Sequence, residues 1–117
     1  MYDIIIVGGG PAGLTTAIYA LRAKKTVLLI ERYTPGGQVA QTGKIENYPG
    51  FKSIDGIELS SIIFDQASSL GLETVYSDVL EYDILGKVKK VKTYDAIYEA
   101  KAIVLALGAV AKELNVE

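Results

Sequence analysis

The chain opens on an apolar, β-branched run from Tyr2 to Val7, broken only by Asp3 and closed by three glycines. A strand buried on both faces of a parallel sheet reads this way. From Pro11 to Lys24 the period changes: Leu14, Ala17, Ile18 and Leu21 recur at helical spacing. Pro11 suits a first helical turn, where its missing N–H has no partner to lose. Thr26 to Ile30 is a second buried run. A short helix between two such strands predicts a parallel pair joined by a right-handed crossover, which makes residues 2–31 one βαβ unit.

Regular spacing then stops from Arg32 to Lys52, where Pro35, Gly36, Gly37, Gly43, Pro49 and Gly50 punctuate the chain. Irregular stretches of that length in compact domains are functional or disordered. Ser53 or Asp55 can cap a helix over Gly56 to Leu70, with Leu59, Ile62, Ile63, Ala67 and Leu70 on one face and Gly71 as its stop. Glu73 to Ile84, Lys87 to Thr93 and Ala96 to Ala100 alternate apolar with polar, broken at Leu85-Gly86 and Tyr94-Asp95. That pattern predicts an antiparallel meander with one wet face. Ala102 to Ala106 returns to a wholly apolar strand. The expected fold is α/β and three-layered, with Tyr2 to Val7, Thr26 to Ile30 and Ala102 to Ala106 in one parallel sheet and the meander against it.

Composition narrows the function. The 117 residues are half hydrophobic and 22% charged, enough for one sizeable core. A net charge of -2 lacks the basic footprint of a nucleic-acid binder, so DNA and RNA are not expected partners. Lys87, Lys89, Lys90 and Lys92 read as a solvated strand edge that discourages strand addition. The longest apolar stretch, Ala102 to Ala111, is 10 residues, against roughly 20 for a spanning helix. No membrane segment is expected, and no basic segment precedes the first apolar run as a secretory signal would require, so a cytoplasmic location follows. With no Cys and no His, redox chemistry has to belong to a bound cofactor.

Gly8-Gly9-Gly10-Pro11-Ala12-Gly13 fits G-x-G-x-x-G with strand before and helix after, and Glu31 ends the second strand 18 residues beyond Gly13. In that setting the motif points to dinucleotide binding. Gly8 permits the tight turn, Gly10 lets backbone approach a pyrophosphate, and Gly13 allows close packing of helix on sheet. The helix amino end, at Pro11 and Ala12, offers N–H groups and positive dipole to phosphate, and Glu31 can accept hydrogen bonds from a ribose. These features do not choose between NAD and FAD.

The loop that follows carries a resemblance. Gly36-Gly37-Gln38 with Ile45-Glu46-Asn47-Tyr48-Pro49-Gly50, and the opening Gly8 to Gly13, resemble the amino-terminal FAD segment of bacterial-type thioredoxin reductases over almost the whole chain. The resemblance implies a Rossmann-like FAD-binding domain and FAD as cofactor. It implies that Gly36, Gly37 and Gln38 lie along the cofactor, that Thr42 and Asn47 reach the isoalloxazine, and that Val79 meets the adenine through its main chain. Arg32, Ala106 and Gly108 join the implied contact set. Ile103 to Ala109 is similar to the family strand that ends in Ala-Thr-Gly-Ala, but Leu107 stands where Thr is expected. Leucine has no hydroxyl, so either that turn and its flavin contact are weaker or the backbone approach at Gly108 suffices.

The resemblance also implies elements that are not in this sequence: an NADPH domain with a second glycine motif and a Cys-x-x-Cys, and a closing FAD segment with a Gly-Asp pair. The chain is therefore expected to be an incomplete FAD domain, residues 1–117, of a flavin-dependent pyridine-nucleotide-disulfide oxidoreductase. NADPH would be used only through the other domain, a thioredoxin-like disulfide would be the parent's partner, and a homo-oligomer is expected. The alternative is a stand-alone dinucleotide-binding module without turnover. Dithiol exchange by this stretch alone is not expected, because a thiolate is its obligate nucleophile.

Overall fold

The computed structural model describes residues 1–32, 44–46, 48–50 and 52–106. Strand β1 (Tyr2–Val7), helix α1 (Pro11–Arg22) and strand β2 (Val27–Glu31) come first, followed by the short strands β3 (Lys44–Ile45) and β4 (Ile54–Asp55). Helix α2 (Gly56–Ser69) precedes β5 (Glu73–Tyr76), β6 (Val79–Asp83), β7 (Lys89–Thr93) and β8 (Ile97–Leu105). Six strands form one mixed sheet in the order β5-β2-β1-β8-β7-β6, and β3 pairs with β4 antiparallel. The irregular stretch expected over 32–52 thus includes one short strand.

The parallel pairing predicted for the first, second and last strands holds. Ile4 to Val7 pair with Val27 to Ile30 on one side and with Ala102 to Leu105 on the other. The layers follow from side-chain alternation. Ile6, Val27 and Leu29 point to one face and pack with Leu14 and Ala17 of α1 and Leu59, Ile63 and Ala67 of α2. Ile5, Val7, Leu28 and Ile30 point to the other and pack with Val91 and Ala100 of the meander. Burying nearly all of Ile5, Ile6, Leu28 and Leu29 at about 1.5–3 kcal/mol each makes this sheet the main source of stability.

Several expectations are corrected. Glu73 to Ile84 is not one meander strand: Glu73–Tyr76 joins the parallel sheet beside β2, and only Val79–Asp83 enters the meander. The backbone N–H of Ser77 donates to the carbonyl of Glu31 at 3.0 Å, the last rung that holds β5 to β2 before the chain turns into β6. Ala96 to Ala100 and Ala102 to Ala106 are not two strands but the single β8, antiparallel to β7 through Ala100 and parallel to β1 from there on. The lysines do not guard an edge. Strand β7 lies between β6 and β8, with Lys90 and Lys92 opposite Asp83 and Glu81 and Lys90 also opposite Glu99. On α2, Ile62 is exposed at 44% and Ser60 is buried in place of a larger apolar residue, while Leu70, exposed at 40%, lies past the end of the helix as its C-cap. Asp55 occupies the N-cap position of α2 without making a side-chain cap.

Helix α1 stops at Arg22, short of Lys24, because Lys24 adopts a left-handed φ of 68° and the N–H groups of Lys24 and Lys25 return to Leu21 and Ala20. Thr26 lies just ahead of β2, and its carbonyl accepts the first rung from the Ile4 N–H at 3.1 Å. It exchanges bonds with Asp3: the Asp3 N–H donates to Thr26 Oγ1 at 2.9 Å, and the Thr26 N–H donates to Asp3 Oδ2 at 2.8 Å. The Thr26 N–H bond, then the Thr26 hydroxyl donating to Asp3 Oδ2 at 3.2 Å and Lys101 at 3.4 Å, hold the Asp3 carboxyl below its usual range. Two strands away from β1, Glu73 accepts from the Tyr2 hydroxyl at 2.7 Å, which pushes that phenol up to about 12.

A carboxyl depressed in the fold stabilises it above its unfolded value, and that contribution disappears as pH falls through the folded value. Asp3→Ala is therefore expected to lower the urea midpoint at pH 7, with the gap from wild type closing below about pH 4. Urea titrations at pH 7 and pH 3 read it, and an equal gap at both pH values refutes the assignment.

Candidate functional site

The chain leaves β1 at Val7 into a turn tied to both neighbouring strands. The Gly8 N–H donates to the carbonyl of Ile30 at 2.9 Å, and the Ala106 N–H donates to the carbonyl of Val7 at 2.8 Å. Gly8 has a φ of 106°, which a side chain would strain. Gly13 lies directly against this turn. A Cβ there would overlap the carbonyl oxygen of Gly8 and come within 3.1 Å of Ala106 Cβ and 3.3 Å of Ile6 Cγ2. Helix α1 is thus drawn down onto the carboxyl end of β1.

The amino end of α1 is bare. Gly10 is its N-cap, with no side-chain cap and no acidic residue in the first turn. Pro11 has no N–H, and the first helical bond runs from the Leu14 N–H to the carbonyl of Gly10. The Ala12 and Gly13 N–H groups therefore have no partner within the helix, and they sit at the positive end of its dipole.

Glu31 lies under the turn at 7% exposure. Its Oε2 accepts a short hydrogen bond from the Gly9 N–H, and its Oε1 accepts from the Arg32 N–H at 2.9 Å. An ionised carboxylate accepts about four hydrogen bonds, so two positions remain for a hydroxyl-bearing ligand. Arg32 Nε stands 2.7 Å from Asp78 Oδ1, and Val79 follows at the start of β6, half buried beside Ile30 and Val7. Burial, and then the charge of Glu31, raise the Tyr76 phenol.

The structure brings Gly8, Gly10, Pro11, Ala12, Gly13, Glu31, Arg32, Val79 and Ala106 to the carboxyl ends of β1, β2, β5 and the parallel half of β8. Gly36, Gly37, Gln38, Thr42, Asn47 and Gly108 lie outside the described residues. The sequence reading missed Gly9, whose N–H Glu31 holds, and Asp78, which lay inside an expected strand. A Gly-Gly-Gly turn and a Ser-Asp pair are the local signals for them, and neither names its distant partner.

The chemistry available is that of an anion and hydroxyl site. A pyrophosphate fits the bare helix end, and a ribose fits the carboxylate beside it. Among the described residues no three Asp, Glu, His or Cys groups gather as metal ligands, and no helix is long and apolar enough to cross a membrane. A cleft at the opposite end of α1 is lined by Leu21, Arg22, Lys24, Lys25, Ser69 and Leu70. Its cations face the carboxyl ends of two helices, whose dipoles they complement.

A family model described as pyridine nucleotide-disulphide oxidoreductase matches residues 2–117. A thioredoxin reductase of Bacillus subtilis is 47% identical over 116 residues, which is 99% of this chain and 37% of the relative. One from Listeria monocytogenes is 44% identical over 98% of this chain and 36% of its own. The crystal structure of Lactococcus lactis thioredoxin reductase superimposes with a TM-score of 0.92 at 42% identity, covering 98% of this chain and 38% of that one. The chain therefore spans little more than a third of the length of these relatives.

The glycine contacts separate two substitutions. Gly13→Val would place its side chain on backbone at Gly8, and it is expected to cost about 1–3 kcal/mol of stability. At Gly9 a Cβ would meet the far end of the Glu31 side chain, which can swing aside. Gly9→Ala is thus expected to cost less than Gly13→Val in urea unfolding, and the reverse order contradicts this account of the turn.

Proposed function

The chain belongs to the pyridine nucleotide-disulphide oxidoreductase family, and we propose that it is the FAD-binding part of a thioredoxin-reductase-like flavoprotein. The observation that carries the reading is the uncapped amino end of α1 set beside the buried Glu31 carboxylate. The Ala12 and Gly13 N–H groups hold the pyrophosphate, the glycine turn admits it, and Glu31 accepts from the adenosine ribose. Arg32 and Val79 border the adenosine. Ala106 backs the turn.

On the same reading, carried by the family resemblance, Gly36, Gly37, Gln38, Thr42, Asn47 and Gly108 line the flavin. FAD, when bound, supplies the two-electron redox centre that no side chain here provides. The chain has no cysteine, so its residues hold and orient the cofactor rather than exchange a disulfide. NADPH as reductant, a thioredoxin-like disulfide as acceptor, a homo-oligomeric state and a cytoplasmic location are proposed for the protein that carries this domain.

Flavin released from the full-length protein by heating is expected to be FAD at one per chain on chromatography. FMN, or no flavin, overturns the reading. Gly10→Val places a branched side chain at the N-cap of α1, where the pyrophosphate approaches, and is expected to weaken FAD binding by roughly tenfold or more. Retention equal to wild type refutes the placement of the pyrophosphate.

A further inference from the structure

The hairpin joining β6 to β7 takes no part in the glycine-turn site, and the side chains at its tip belong to neither core cluster. Turns favour Gly, Asn, Asp and Ser, yet here Gly86 is flanked by Ile84-Leu85 and Lys87-Val88. Leu85 is 94% exposed, Ile84 58% and Val88 38%, with Tyr82 at 41% on the strand that leads in. Single exposed apolar residues are ordinary, but a run of them in one hairpin is a patch that folding does not require. The tip is also held in shape. The Leu85 N–H donates to Asp83 Oδ1 at 3.3 Å, and the Lys89 ammonium donates to the Gly86 carbonyl. Residues 81–92 carry Lys87, Lys89, Lys90 and Lys92 against Glu81 and Asp83. The two acids stand opposite Lys92 and Lys90 in the ladder, and Lys90 also meets Glu99 at 4.0 Å. Lys87 and Lys89, nearest the tip, make no ion pair among the described residues.

We propose that this hairpin is a membrane-contact element: Leu85, with Ile84 and Val88, enters the interfacial region of an anionic bilayer, and the Lys87 and Lys89 ammonium groups pair with lipid phosphates. The inference is independent of the flavin reading. A small apolar insertion and a few lysines each bind a bilayer weakly, and joined at one tip they act together. The chain's net charge of -2 does not oppose this. Screening limits the field of a lipid surface to about 8 Å at physiological salt, so the excess of lysines on the hairpin decides the sign of the contact. A second copy fits the patch less well, because a tip-to-tip contact sets like charges together. A protein partner would need a pocket shaped to the tip, whereas lipid accommodates any protruding apolar side chain.

The test uses the full-length protein and vesicles of phosphatidylcholine, alone or mixed with phosphatidylglycerol, with binding read by co-sedimentation. Wild type is expected to bind the mixed vesicles roughly tenfold or more tightly than phosphatidylcholine alone, and to be released by high salt. Leu85→Ser is expected to weaken that binding by about tenfold and Lys87→Gln by about fivefold, whereas Lys87→Arg keeps it. Ile57→Ser, at a 72%-exposed position on α2, is expected to change nothing. These side chains are all exposed, so the variants are expected to unfold in urea as wild type does. Leu85→Trp is expected to emit further to the blue on mixed vesicles and to be quenched by brominated lipid, which a contact made elsewhere on the protein would not produce. Wild type that ignores the mixed vesicles, binding that survives both Leu85→Ser and Lys87→Gln, or Leu85→Trp emission that stays unquenched overturns the inference. A Leu85→Ser variant that dissociates an oligomer in the absence of lipid overturns it too, and assigns the tip to a second copy.

Discussion

The contact between Gly13 and the carbonyl oxygen of Gly8 governs the architecture, because it leaves no room for a methyl group between helix and turn. With that distance fixed, the first turn of α1 sits on the end of β1, and Ile6 and Ala106 close around it from the sheet. The turn is then bonded to β2 through the Gly8 N–H and to the end of β8 through the carbonyl of Val7. Three strands and a helix end at one rim for a single steric reason. The helix dipole and the buried Glu31 carboxylate share that rim because both are anchored to the same few residues.

Much of this was legible from local pattern. The apolar run of β1, the helical spacing of Leu14, Ala17, Ile18 and Leu21, and the second apolar run place the βαβ unit to within two residues at each end. Helix α1 ended early because its left-handed closing residue is Lys24 rather than a glycine, so no composition signal marked the stop. The break between β5 and β6 was invisible for a similar reason. Ser77-Asp78 contains neither Gly nor Pro, and what sets β5 apart from β6 is its pairing with β2, far earlier in the chain, whose last rung runs from the Ser77 N–H to the Glu31 carbonyl.

The site divides along the same line. Motif spacing pointed to Gly8, Gly10, Gly13 and Glu31, because each answers a requirement of the turn or of its ligand. Burial of Glu31 beneath Gly9, and the reach of Asp78 to Arg32, depend on the layer change after Tyr76, which no short stretch of sequence records. Polar contacts between segments far apart in the chain are set by topology. They become visible only when the strand order is known.

Ala100 marks the place where β8 changes partners, pairing with Tyr2 on one side and Lys89 on the other, with no surface left to solvent. One strand therefore serves as a ruler shared by two layers. The meander is hung from its first half and the glycine turn is braced by its end, so the separation between them is counted in whole residues. Length changes in the hairpin at Leu85-Gly86 would be taken up at an exposed tip. A single residue gained or lost between Ala100 and Leu105 would reverse which side chains face inward on one side of the join, and would unseat Ala106 from the turn it supports.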